Sequence, residues 1–249
     1  MTNGIGRWTW LRLLLGGVVA FILIERALAF TGSITYVPAL LLVGALTVPV
    51  AFCAFLYSRD RTPDVPWTTL GWCALWGGVL GSVLAGRLEF DTVQHLGTIP
   101  VIAIGVIEEF AKFVVPAWLT VRHGYSKEMD GLMLGAAAGA GFAVLESMGY
   151  GLTGLFFSGG NLTFTVQLLF FRGLMAPATH IAWTGLITGA FWSAWHRRSL
   201  RRFLYTFAGV VILHSLWDGT GSFTWYLVLT LVSLGWLFER VHAIARRTA

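Results

Sequence analysis

Eight ionisable side chains fall inside apolar stretches in the later half of this 249-residue chain: Glu108, Glu109, Lys112, Glu146, Arg172, His180, His214 and Asp218. An ionisable group within a span costs about 2.5–3.5 kcal/mol on insertion scales, so each is a functional candidate. Glu108 and Glu109 precede Lys112 by four and three residues, the order in which helical Glu–Lys pairs interact best. Glu146 and Tyr150 are four apart, as are His214 and Asp218. Arg172 and His180 are eight apart, about two turns along one side of a helix. Two imidazoles and several carboxylates in such a setting can activate water, with Glu taking a proton and His holding or donating one. The same types of side chain suit zinc, which lowers the pKa of bound water. Glu108, Glu109, Glu146 and Asp218 outnumber Lys112 and Arg172. A divalent metal, two imidazolium groups or protonated carboxyls would balance the difference. Other hydrolase chemistries fit poorly. There is no His-Glu-x-x-His motif, no serine in a marked Gly-rich context, and Asp130 falls at the expected end of a span rather than in a buried aspartate pair.

The elements that must position these groups are transmembrane helices. Hydrophobic residues make up 56% of the chain and Gly contributes a further 30 residues. Charged residues are 12%, about half the ordinary share of ~25%. This excludes a disordered chain and a soluble domain, and two cysteines exclude a disulfide scaffold. The formal charge of +5 is carried between apolar runs, so it points to a membrane surface and anionic lipid rather than to nucleic acid. With about 20 apolar residues per crossing, the sequence predicts eight spans: Trp8–Phe30, Ile34–Tyr57, Trp67–Gly86, Thr98–Val121, Gly131–Leu152, Thr165–Trp195, Phe203–Gly219 and Phe223–Val241. The sixth is longer than one crossing needs and is expected to be tilted, broken or preceded by a re-entrant turn. The expected fold is an all-α polytopic membrane helical bundle. Its single domain divides into apolar anchoring spans (1–97), polar-cored spans (98–221), and a last span with a basic tail (222–249).

With both termini in the cytoplasm, the inside segments carry Arg7, Arg12, Arg59, Arg61, Arg122, Lys127, Arg197, Arg198, Arg201, Arg202, Arg240, Arg246 and Arg247. That is thirteen of the 17 basic residues, as the positive-inside rule requires. At 1.5 Å per residue, Glu109, Glu146 and His214 then lie about 16–22 Å from the basic ends of their helices, so four spans contribute to one polar cluster. The first span, with Arg7 and Arg12 ahead of an apolar run ending in Ala27-Leu28-Ala29, also has signal-peptide character. Its length, with Glu25 and Arg26 beside that site, favours a retained span.

Four motifs occur in order. They are Glu108-Glu109-Phe-Ala-Lys112, Gly141-Phe-Ala-Val-Leu-Glu146-Ser-Met-Gly-Tyr150, Arg172 with His180, and His214-Ser-Leu-Trp-Asp218. Together, over about Thr98–Gly221, they resemble the PrsW family of intramembrane proteases, distant relatives of the CAAX prenyl endopeptidases and of the Aph scaffold subunit of gamma-secretase. The resemblance implies site-1 type cleavage, in the plasma membrane, of a single-pass protein such as an anti-sigma factor. It implies that Glu108 and Glu109 include the water-activating base. His180 and His214 would be catalytic, or would bind zinc with Glu109 if a metal is used. Lys112 and Arg172 would hold carboxylates in place, with Glu146, Tyr150 and Asp218 in support. Asp218 stands where relatives often carry Asn. A carboxylate repels an oxyanion, so ligand or His-orienting roles fit it better.

Plainer readings compete with each of these. Glu–Lys pairs can be structural, His residues can bridge helices, Tyr150 can be an interfacial anchor, and Pro177 can be a packing kink. The small residues Gly135–Gly141 predict close helix packing. A proton-coupled transporter, or a non-catalytic scaffold with a relic polar core, would use the same groups. A scaffold tolerates Glu109→Gln, whereas both active readings do not.

Overall fold

In the computed structural model, residues 6–59, 64–198 and 200–248 are described. Arg61, one of the expected cytoplasmic basic residues, lies outside them. The described residues form nine α-helices and no strand: α1 (Thr9–Thr31), α2 (Val37–Tyr57), α3 (Trp67–Leu96), α4 (Val101–His123), α5 (Glu128–Phe157), α6 (Leu162–Met175), α7 (His180–Arg197), α8 (Leu200–Gly219) and α9 (Phe223–Thr248). The all-α bundle read from composition is what forms.

Among the described residues, five helices are long and apolar enough to cross a membrane: α1, α2 with its leading turn, α3, α5 and α9. The others are α4, α6, α7 and α8. They are shorter or carry the ionisable residues that lower their apolarity. Outward-facing Val19, Leu23 and Phe30 on α1 are exposed apolar side chains, as expected of a lipid-facing helix.

The bundle is built around α5, which packs most extensively on α7 and α3. Its small residues allow this. A Cβ on Gly139 would collide with the His180 carbonyl, one on Gly135 with the Thr184 carbonyl, and one on Gly141 with the Ala74 carbonyl of α3. Backbones at such separations gain dispersion contacts that larger residues would prevent. The expectation of close packing along Gly135–Gly141 therefore holds, and its consequence is positional. His180 is pinned against the helix that carries Glu146.

The sixth span takes one of its expected forms, a break, and the third helix runs past its expected end. The expected sixth span is two helices, α6 and α7, separated by a 3₁₀ turn at Ala176–Ala178. Pro177 lies in that turn. It has no N–H to continue an α-helix and disfavours helical geometry before it. Thr179 then adopts φ −108°, ψ −111° before α7 begins at His180. The third helix runs ten residues past Gly86, to Leu96. Its added segment is polar, held by an Arg87–Asp91 pair at 2.9 Å, and stops where Gly97 takes φ +72°. Loss of hydropathy marked the end of the apolar run, not of the helix.

The basic ends gather on one side. Trp10 of α1 meets Phe55 of α2 at 5.7 Å, and Phe55 meets Phe238 of α9 at 6.2 Å. Lys127 before α5 pairs with Asp64 before α3 at 3.0 Å. Arg202 of α8 donates to Ser193 of α7 at 3.0 Å.

Candidate active site

Lys112 is at the centre of the polar cluster. It is fully buried on α4, with its ammonium 2.7 Å from Glu109 Oε1 and 3.2 Å from Glu108 Oε2. The spacing of Glu108, Glu109 and Lys112 thus produces the contacts it predicts. The ammonium also lies 2.9 Å from His180 Nδ1 at the start of α7 and 4.5 Å from the Phe142 ring centre on α5. An ammonium can only donate, so His180 Nδ1 accepts and its Nε2 carries the hydrogen. That Nε2 faces Glu146 Oε2 on α5 at 2.8 Å.

The chain of contacts extends in both directions. Glu146 Oε2 is also 2.7 Å from Arg172 Nη2 on α6. Arg172 donates from Nε to Ser147 Oγ at 3.2 Å and lies 4.1 Å over the Tyr150 ring. On the other side, Glu109 Oε1 is 2.8 Å from His214 Nδ1 on α8. His214 Nε2 faces Asp218 Oδ2 at 3.2 Å and Glu108 Oε2 at 3.6 Å. A continuous line therefore runs Asp218, His214, Glu109, Lys112, His180, Glu146, Arg172. All nine residues singled out in the sequence are in one neighbourhood, and five helices supply them.

Exposure grades across the cluster. Glu109 and Lys112 are sealed at 0%, whereas the Glu108 side chain retains 12%. Beside the line is a cavity of about 70 Å³ bordered by Glu146, Tyr150, Arg172, His180, Trp217 and Asp218. A cavity needs only ~10–15 Å³ to admit one water, so this one has room for a few. Aromatic rings wall the site, with Trp183 4.9 Å from His214 and Phe142 5.3 Å from His180. The break before α7 has a purpose in this geometry. It lets Arg172 and His180 reach one carboxylate from two helices.

Sequence reasoning missed one acid. Glu89, on the polar extension of α3, is half-buried with Oε1 unpartnered among the described residues. It falls three residues beyond the apolar run assigned to the third span, so no hydropathy signal could place it. At the start of α6, Asn161 Oδ1 accepts from Phe164 N at 3.0 Å and caps the helix.

The donor set does not fit a metal as arranged. Among the described residues no three His, Cys, Asp or Glu side chains form a metal-holding group. Glu109, His180 and His214 do come together, but both nitrogens of each imidazole are engaged and the Lys112 ammonium bonds Glu109 and His180 directly. A cation would have to displace an ammonium. One donor remains free, the buried Oε2 of Glu109.

A family model described as PrsW family intramembrane metalloprotease matches residues 65–241, more than two thirds of the chain. No curated protein and no solved structure matches. The matched segment runs from the loop before α3 into α9 and contains every residue of the cluster.

Proposed function

Because the chain belongs to the PrsW family of intramembrane metalloproteases, we propose that it hydrolyses a peptide bond of a single-pass membrane protein with Glu108 as the water-activating base. It is an integral membrane peptidase, and the proposal concerns how its residues work. The observation that carries it is the position of Lys112, bonded at once to Glu108 and to His180.

Glu108 is the better base of the adjacent pair. Glu109 is sealed and tied at 2.7 and 2.8 Å to two cationic or proton-bearing partners. Glu108 is held more loosely, at 3.2 and 3.6 Å, and keeps some exposure. A base must reach its water. In the proposed step, water oxygen adds to the scissile carbonyl carbon and Glu108 takes its proton. The C–N bond then breaks, and the leaving nitrogen takes a proton from His180 beside the cavity. As His180 Nε2 gives up its proton, Lys112 supplies one to Nδ1 and takes one from Glu108, and exchange with water in the cavity then restores the Nε2–H tautomer. Glu109 and Asp218 orient His214, which steadies Glu108. Arg172 and Tyr150 border the cavity where the peptide would enter. No step passes through a metal, for the donor-set reason given above.

The cavity lies toward the end of the bundle opposite the arginine-rich ends. This supports cleavage near the outer face of the plasma membrane, as in a site-1 step on an anti-sigma factor class of substrate. An eight-crossing arrangement, with α6 and α7 forming one bent crossing, supports the same orientation.

The test uses the purified full chain in detergent with single-span substrates, comparing wild type, Glu108→Gln and chelator-treated enzyme. The expected result is cleavage by wild type, loss of at least ~10²-fold in Glu108→Gln, and retention with chelator. Chelator loss restored by zinc would move the mechanism to a metal held by Glu109 and His214. The unbroken polar line also resembles a proton relay. Proton flux in vesicles without substrate cleavage would favour transport instead.

A further inference from the structure

A second polar site lies at the arginine-rich end, between α8 and α9. The two helices touch where Trp236 sits on Gly209; a Cβ there would come within 3.1 Å of the indole. Beside their basic ends is a cavity of about 510 Å³. Arg201, Arg202 and Arg240 line it, with Tyr205 and Trp236 as aromatic walls and Glu239 at its edge. Behind it, Glu128 at the start of α5 is buried and pairs with Arg202, with Arg240 at 2.9 Å and with Arg247 at 3.7 Å.

One buried carboxylate thus serves three guanidiniums. Arg240 keeps a buried Nε without a partner among the described residues. Arg201 is exposed, lies 5.3 Å from the Tyr205 ring and forms no ion pair among the described residues. Even counting Glu239, the four arginines and two glutamates leave an excess of two positive charges. Guanidinium forks match phosphate oxygens in shape and charge.

We propose that this cavity binds the phosphate of an anionic phospholipid headgroup. A phosphodiester carries one negative charge and does not overfill the excess. A lipid is favoured over free phosphate because the cavity opens at the ends of two membrane helices. Its aromatic walls suit the boundary between headgroup and acyl chain. Exposed Leu204 and Tyr205 extend an apolar track along the outside of α8. The bound headgroup would clamp α8 to α9 at the end opposite His214.

The purified full chain tests this by native mass spectrometry and thermal unfolding with phosphatidylglycerol, phosphatidylcholine or inorganic phosphate. The expected result is at least ten-fold preference for one phosphatidylglycerol over phosphatidylcholine, with a Tm gain of several degrees. Inorganic phosphate should give no gain. Arg201→Ala should abolish the preference, and it should fold because Arg201 supports no ion pair among the described residues. Arg122→Ala removes the same charge from the end of α4, away from the cavity, and should keep the preference. Equal retention of both lipids, equal loss in both variants, or an equal Tm gain with phosphate alone would each overturn the proposal.

Discussion

Glu109 and Glu108 are neighbours in sequence with opposite environments. Glu109 is closed off and holds both Lys112 and His214. Removing its charge leaves a buried ammonium without its nearest counter-ion. Breaking a buried pair in this way typically costs about 3–5 kcal/mol. Glu109→Gln is therefore expected to lower thermal stability strongly as well as abolish cleavage. Glu108→Gln should remove cleavage at a stability cost of about 1 kcal/mol. Unfolding curves of the two variants in the same detergent check this, and equal stability losses would sink the division of roles. Sequence spacing exposed the contacts within one helix, such as Glu108–Lys112 and His214–Asp218. It could not show that Lys112 meets His180 across 68 residues or that Glu109 meets His214 across 105. Those contacts depend on the rotation of packed helices about their axes, and a pattern of residue types does not encode that directly.

Helices α5 and α7 set those rotations. Gly139 lets the His180 carbonyl approach its backbone, and this fixes where the imidazole lies relative to Glu146 and Lys112. Gly139→Ala must push α7 outward. Overpacking of this kind costs about 1–3 kcal/mol, and a misplacement of ~1 Å at a reacting group can cost about 10²-fold in rate. The variant should fold with reduced stability and lose most of its cleavage. Gly149→Ala, on the same helix with open space around it, should retain both. Rates and Tm values of the pair make the comparison, and similar behaviour would show that close packing at Gly139 does not position the site. The run of small residues made this packing legible in advance. Pro177 signalled a disturbance but not its form, because a proline can kink a helix or end it. Which occurs depends on whether the freed backbone finds partners, as it does here where Thr179 Oγ1 donates to Met175 O at 3.2 Å.

At the scale of the whole molecule, the orientation of the cavity depends on how α6 and α7 cross. At 1.5 Å per residue, the 14 residues of α6 and 18 of α7 span about 21 and 27 Å. Neither alone spans the ~30 Å hydrocarbon core comfortably, and a straight helix of both would overshoot it. A bent single crossing fits, with the turn at the level of Lys112 and the end of α7 beside the start of α8. The two termini then lie on the same side, with the Phe157–Leu162 connection opposite. Cysteine labelling can test this against a low background, because Cys53 and Cys73 are both buried. In intact cells, an impermeant maleimide should modify Ser158→Cys. Gly6→Cys and Arg246→Cys should react only after lysis. Labelling of Gly6→Cys and Arg246→Cys from opposite sides would mean that α6 and α7 do not form one crossing. Labelling of both from outside would place the cavity toward the cytoplasm. In that case a substrate cut near the outer face could not reach Glu108, and the cleavage step would have to act on the cytoplasmic side of its target.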